Sequence, residues 1–195
     1  MATITKADVL SQVRQRTGRT NLSAADIKAE LESILIDLSN RAPWPCLQTV
    51  TAKGLSENTE SVALPSLFRT MTAVYDANGD KLEKRPYGWI KAMRGADDTA
   101  GTPRYYAIHG SNVYLYPKAS ASGTLYLDYA QMCTSEDAIL FETDFAEAVY
   151  EGTCWKVEES YGMMGKVETT TFFKRTYEEQ VGVLLNKYKG RMEEE

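Results

Sequence analysis

The hydrophobic period of this chain changes twice, and that limits its fold more than any single motif. Apolar residues recur at helical spacing up to about residue 40, alternate through the middle, and return to helical spacing from about Glu142. The order is therefore helix pair, β segment, helix pair. Neither pair can bury its own apolar stripes, so the simplest closure packs both ends of the chain together. The expectation is an α+β fold: an antiparallel helical bundle from residues 1–44 and 134–195, with an antiparallel β domain, residues 45–133, inserted and projecting as a second lobe. At roughly 1.5–3 kcal/mol per buried Leu, Ile or Phe, about a dozen stripe residues can hold the ends together against loop-closure entropy.

Local signals place the helices. Thr5-Lys-Ala-Asp8 has the form of a capping box with Asp in the Glu place, and Val9, Leu10 and Val13 follow before Gly18, which predicts a helix over 6–17. Ser23-Ala-Ala-Asp26 caps a second helix with Ile27, Leu31, Ile34, Leu35 and Leu38 on one stripe, ending before Pro43-Trp-Pro45. A third helix carries Phe145, Val149, Gly152 and Trp155 and stops near Gly162. A fourth, over roughly 166–190, aligns Phe173, Tyr177, Val181, Leu184, Leu185 and Tyr188.

In the middle, Leu47 to Lys53, Glu60 to Leu64 and Phe68 to Tyr75 read as strands. Asn78-Gly79 predicts a type I′ turn with Tyr75 opposite Leu82, and residues 87–93 a helical turn or two presenting Trp89 and Ile90 to the core. A two-residue turn at Gly110-Ser111 pairs His109 with Asn112, Ile108 with Val113 and Tyr106 with Leu115. The other face of that hairpin carries Ala107, Tyr114, Tyr105 and Tyr116. A strand over 124–129 is expected to extend this meander, with Leu125, Leu127 and Tyr129 on the apolar face and Tyr126 beside the tyrosines.

Chemistry is sparse. His109 is the single histidine and lacks partners for a triad or a metal set. Asp76-Ala-Asn-Gly-Asp80 lacks the ligand spacing of a calcium loop. Asp97-Asp98 lies in a polar loop and Glu158-Glu159 on a solvated helix face, so neither reads as a catalytic carboxylate pair. No phosphate loop, nucleophile elbow or HExxH sequence occurs. No catalytic residue, cofactor or metal ligand is expected. Cys46, Cys133 and Cys154 are widely spaced and read as reduced thiols of a protein made in the cytoplasm. No membrane span or signal peptide is expected. A composition of 43% hydrophobic and 25% charged residues excludes wholesale disorder.

Charge is unevenly spread. Residues 136–195 hold 14 acidic and 7 basic side chains, residues 1–135 hold 13 and 15, and the total is −5. An acidic helical end argues against a module that grips nucleic acid. Tyr105, Tyr114, Tyr116 and Tyr126 cover a second layer of the β lobe, or else form a contact surface for another protein. Phe172, beside the stripe residue Phe173 but off its face, is expected to meet another chain.

Leu64-Pro65-Ser-Leu67-Phe-Arg69, the hairpin ending at Leu82, Trp89, Gly101-Thr-Pro103-Arg-Tyr105-Tyr-Ala-Ile108, Val113-Tyr-Leu115-Tyr-Pro117 and Leu125-Tyr-Leu127-Asp-Tyr129 together resemble the head-to-tail adaptor (connector) proteins of tailed bacteriophages. The likeness covers residues 64–130, and the flanking helix pairs agree in order and length. It implies a non-enzymatic protein of the virion neck. Its copies, usually twelve, ring the DNA channel below the portal protein and bridge it to tail proteins (nozzle, hub or tail terminator), while DNA passes without specific binding. It further implies a portal contact through the C-terminal portion, here Tyr188, Lys189, Arg191 and Met192; the acidic Glu193-Glu-Glu195 departs from that pattern. A tail-completion or stopper protein of the same neck is the nearest alternative. A carbohydrate- or small-molecule-binding β module, with tyrosines and Trp89 as a stacking platform, and a carboxylate hydrolase are the alternatives from other classes.

Overall fold

The computed structural model describes residues 4–134, 139–162 and 167–193. Its helices are α1 (Lys6–Thr17), α2 (Ala24–Arg41), α3 (Tyr87–Ala96), α4 (Ala146–Tyr161) and α5 (Val167–Glu193). The strands are β1 (Gln48–Leu55), β2 (Ser61–Ala63), β3 (Phe68–Tyr75), β4 (Glu83–Lys84), β5 (Ala100–Gly101), β6 (Tyr105–His109), β7 (Asn112–Tyr116), β8 (Lys118–Ala119) and β9 (Gly123–Gln131). The chain divides into two compact units, Met1–Leu47 with Met132–Glu195, and Gln48–Gln131. The architecture is α+β: terminal helices flank a predominantly antiparallel β segment.

Both predicted capping boxes form. Thr5 Oγ1 accepts from the Asp8 N–H at 3.1 Å while the Asp8 carboxylate accepts from the Thr5 N–H at 3.3 Å. Ser23 and Asp26 repeat the exchange at 3.2 and 2.8 Å. Gly18 ends α1 at φ 68°, a left-handed geometry that costs glycine little. In the helical unit α4 lies against α1, α2 and α5, so it is the member around which both ends of the chain close. Ile27, Leu31, Ile34, Leu35 and Leu38 of α2 pack in one core with Phe173, Tyr177, Val181, Leu184 and Tyr188 of α5, while Leu185 of the predicted stripe is only half-buried against it.

Gly152 marks the tightest point of this core. A Cβ at Gly152 would stand 2.9 Å from Tyr177 Cδ2 and 3.0 Å from Ile34 Cδ1 and Cγ2, and both neighbours are fully buried. Gly152→Val should therefore destabilise the protein by about 2 kcal/mol or more, because overpacking outweighs the loss of a helical glycine. Gly182→Ala in α5 has the opposite expectation, since open space surrounds that position. It should gain about 0.5–1 kcal/mol from helix propensity alone. Urea midpoints of the two variants, with unchanged slopes, check both signs.

Charged side chains fasten the two ends. Arg19 binds Glu158 of α4 through Nε–Oε1 at 2.8 Å and Nη2–Oε2 at 3.1 Å. Arg16 holds Glu147 at 2.9 Å and also Glu151. Arg41 makes a fork to Glu178 of α5 at 2.8 and 3.1 Å. The expectation of a solvated Glu158 is thereby corrected: Glu159 is exposed, but Glu158 is only 3% exposed because Arg19 partners it.

The β6–β7 hairpin has the register read from its turn: Tyr105 faces Tyr116, Tyr106 faces Leu115, Ile108 faces Val113 and His109 faces Asn112. Gly110 at φ 57° supplies the positive angle that the first central residue of a II′ turn requires. Three other expectations change. The strand over 124–129 does not extend this hairpin; as β9 it pairs with β1 and β3, in the order β1-β9-β3, while the hairpin belongs to β2-β7-β6-β4. After Pro117 the chain instead pairs with β5 as β8, and Ala119 exchanges hydrogen bonds with Asn58 and Thr59, which leads it away from the hairpin. Leu125, Leu127 and Tyr129 still join Tyr106, Val113 and Leu115 in one core, but they reach it from the facing sheet. The short pairs β4–β6 and β5–β8 are parallel, where antiparallel pairing was expected.

The third change is at Asp76–Asp80. Tyr75 pairs with Lys81, one residue short of the predicted Leu82, and of the turn's two central residues Gly79 alone has positive φ. The Asp76 carboxylate accepts from the Asn78 and Asp80 N–H groups at 2.8 and 2.9 Å, closing the loop from inside. This side-chain-to-backbone closure displaces the I′ geometry.

Candidate interaction surfaces

The tyrosines of the hairpin are covered from within their own unit. Ile90 of α3 is fully buried against Ala107 and Tyr116, with Tyr87, Trp89, Met93, Tyr105 and Tyr114 packed around them. Trp89 meets Tyr105 and Tyr116 edge-on at 5.0 and 5.8 Å, and Tyr87 stacks on His109 at 4.2 Å. Arg94 crosses the layer, donating to the carbonyls of Glu60 and Leu115 at 2.8 Å and forming an ion pair with Glu60 at 3.0 Å. Of the two readings of this tyrosine face, the second layer is the one seen for Tyr105, Tyr114 and Tyr116. Tyr126 is separate: it stands on β9 in the other sheet and is 39% exposed, beside β1, whose Val50 is 59% exposed.

In the helical unit, Phe172 is 54% exposed, with Val167 at 73% and Val183 at 60% also on α5. Tyr188 lies inside. Its ring stacks on Phe145 at 5.6 Å and meets Trp44 edge-on at 6.2 Å, and its hydroxyl reaches Asp144 Oδ2 at 3.0 Å. Lys189 is exposed, and the side chains of Arg191 and Met192 lie outside the described set. Sequence reasoning missed two surface features: the Val50 edge, and an apolar groove of about 310 Å³ between α1 and α2. The only advance signal for the groove was Leu10, off the buried stripe of α1.

Nucleophile chemistry is suppressed at Cys46 and Cys154. Burial pushes the Cys46 and Cys154 thiols up to about 12, so neither is a thiolate at neutral pH. Among the described residues no group of three His, Cys, Asp or Glu side chains is placed to hold a metal ion, and no helix is long and apolar enough to cross a membrane. Burial, reinforced by Asp144, also pushes the Tyr188 hydroxyl up to about 12, and burial with the Asp37 hydrogen bond raises Tyr177 further. A phenol whose folded pKa is raised lends stability that is complete below its unfolded value of about 10 and is lost as pH rises toward the folded value. Tyrosinate absorbance at 295 nm should therefore show a late share that arrives only with the loss of helical circular dichroism. Full ionisation in a chain that keeps its helical signal would contradict the packing of Tyr177 and Tyr188.

Exposed apolar residues remain on α5 and on β1. A search of the curated proteins found no match. A family model does match, described as the SU10 adaptor protein, and it spans residues 4–193. The chain therefore belongs to the SU10 adaptor family, the structural, non-enzymatic head-to-tail adaptors of the tailed-phage neck, which engage portal and tail components.

Proposed function

We propose that copies of this chain, twelve to a neck, form a ring below the portal, bridge it to the tail proteins and surround the DNA channel without gripping DNA. The observation that carries this reading is the placement of charge. Arg16, Arg19 and Arg41, cations of the basic half of the chain, are spent on Glu147, Glu151, Glu158 and Glu178 of the acidic half. A protein that binds DNA tightly must present such cations to phosphates. Here they close the helical unit, and the net charge is −5. The end of α5 makes the portal contact through Lys189, Arg191 and Met192, with Tyr188 anchoring that helix from inside. The free cysteines suit synthesis in the reducing cytoplasm of a bacterial host. A sugar-binding module would need an open aromatic platform, and α3 covers the tyrosine face of the β6–β7 hairpin.

Size-exclusion chromatography with light scattering, on the chain alone and mixed with portal rings, tests the reading. The expected result is a complex of portal and adaptor in equal copy number. A mass for the portal ring that the chain leaves unchanged would overturn it.

A further inference from the structure

We propose that α1 is a releasable strap: it lifts from α4 and melts as far as Gly18 while α2, α4 and α5 stay folded, and the buried carboxylate of Glu151 sets how readily it leaves. The device is independent of the ring reading above. Its seat is slight, since α1 buries Val9 and Val13, whereas α2 buries six residues and α4 eight. Toward α2 the packing is open, with the groove of about 310 Å³ between the two helices and Leu10 half-buried on its wall. At 12 residues α1 is too short to persist as a helix once it is undocked. Beyond Gly18, the Arg19 fork on Glu158 at 2.8 and 3.1 Å pins the near end, so the strap has a fixed root.

Charge on the seat favours release. Arg16 of α1 is shared between two carboxylates of α4: its fork to Glu147 closes at 2.9 and 3.1 Å, and Nη1 also donates to Glu151 Oε1. The Glu151 side chain is 10% exposed, and its Oε2 is buried without a hydrogen-bond partner among the described residues. Glu147 lies four residues earlier on the same face of α4 and adds like-charge repulsion. Two negative charges therefore meet one positive charge, and one of them leaves a buried acceptor unmet. Lifting α1 returns Glu151 Oε2 to water, which offsets part of the cost of uncovering Val9 and Val13. It also bares an acidic face that Arg16 masks, so the closed and open forms present different charge along α4. Glu147 and the Tyr150 ring, 5.3 Å below the guanidinium, suffice to dock Arg16, which makes its bond to Glu151 surplus.

Amide hydrogen exchange of the full-length chain, read by mass spectrometry under native conditions, tests this. In the parent chain, residues 9–17 should be at least about a hundredfold less protected than the buried turns of α2, α4 and α5. Glu151→Met should raise the protection of residues 9–17 about tenfold, because Arg16 keeps Glu147 and the unmet carboxylate oxygen is gone. Arg16→Met should lower it by about the same factor, since both carboxylates then lose their cation. If Glu151 served only to hold α1 down, its own replacement would have the opposite sign. Exchange of α1 in step with the other helices of the parent overturns the strap, and that measurement needs no variant. A Glu151→Met chain whose α1 exchanges as fast as the parent's or faster, or one that loses its helical circular dichroism, overturns the role given to Glu151.

Discussion

Replacing Trp44 with alanine should cost about 3–5 kcal/mol, the range for emptying a fully buried aromatic site. Trp44 has no exposed surface and its indole N–H donates to the Leu38 carbonyl at 2.6 Å. Its ring is flanked edge-on by Phe145 at 5.1 Å and Tyr188 at 6.2 Å. It therefore joins the end of α2, the start of α4 and the end of α5 at one point, where Pro43 and Pro45 restrict the backbone on either side. A domain of this size has about 5–15 kcal/mol in total, so the variant should lose much of its resistance to urea. Trp44→Phe keeps most of the volume but leaves the Leu38 carbonyl without its donor, and should cost about 1–3 kcal/mol. Equal midpoints for the alanine variant and the parent would show that these three helix ends do not depend on one another.

Arg19→Met should cost about 3 kcal/mol. The Glu158 side chain is 1% exposed, and its carboxylate is matched by the Arg19 guanidinium, itself 21% exposed. Removing the arginine leaves a buried carboxylate without its charge partner, which is far costlier than losing a surface pair. The double change Arg19→Met with Glu158→Leu should recover most of that loss, since two apolar side chains of similar volume avoid the desolvation penalty altogether. A double-mutant cycle measured by urea unfolding would give a coupling of about 2 kcal/mol or more. Simple additivity of the two single changes would mean that Glu158 is solvated after all.

Most helix ends were legible because capping is local chemistry: Thr5 with Asp8 and Ser23 with Asp26 announce themselves within four residues. The β6–β7 register was equally legible, since a tight turn at Gly110-Ser111 fixes each partner by counting. The neighbour of β9 was not. Alternation tells which side chains of a strand are buried, yet the same buried face serves a strand in either of two facing sheets. Glu158 was misread for a related reason: its partner Arg19 is 139 residues away, and nothing local marks the pair. The cover over the tyrosine face could have been inferred from Trp89, Ile90 and Met93, which fall on one side of α3 next to a half-buried aromatic sheet. Phe172 was placed correctly off the stripe, because its neighbour Phe173 already occupies the inward position.

Quantitative mass spectrometry of purified virions tests the central claim most directly, that the surfaces of this chain exist to bind copies of itself and the proteins on either side of the neck. The account predicts the chain in the particle at the same copy number as the portal protein, retained after the capsid shell is removed from the neck and tail. Its absence from the particle, or recovery at a small fraction of the portal's abundance, would contradict the account.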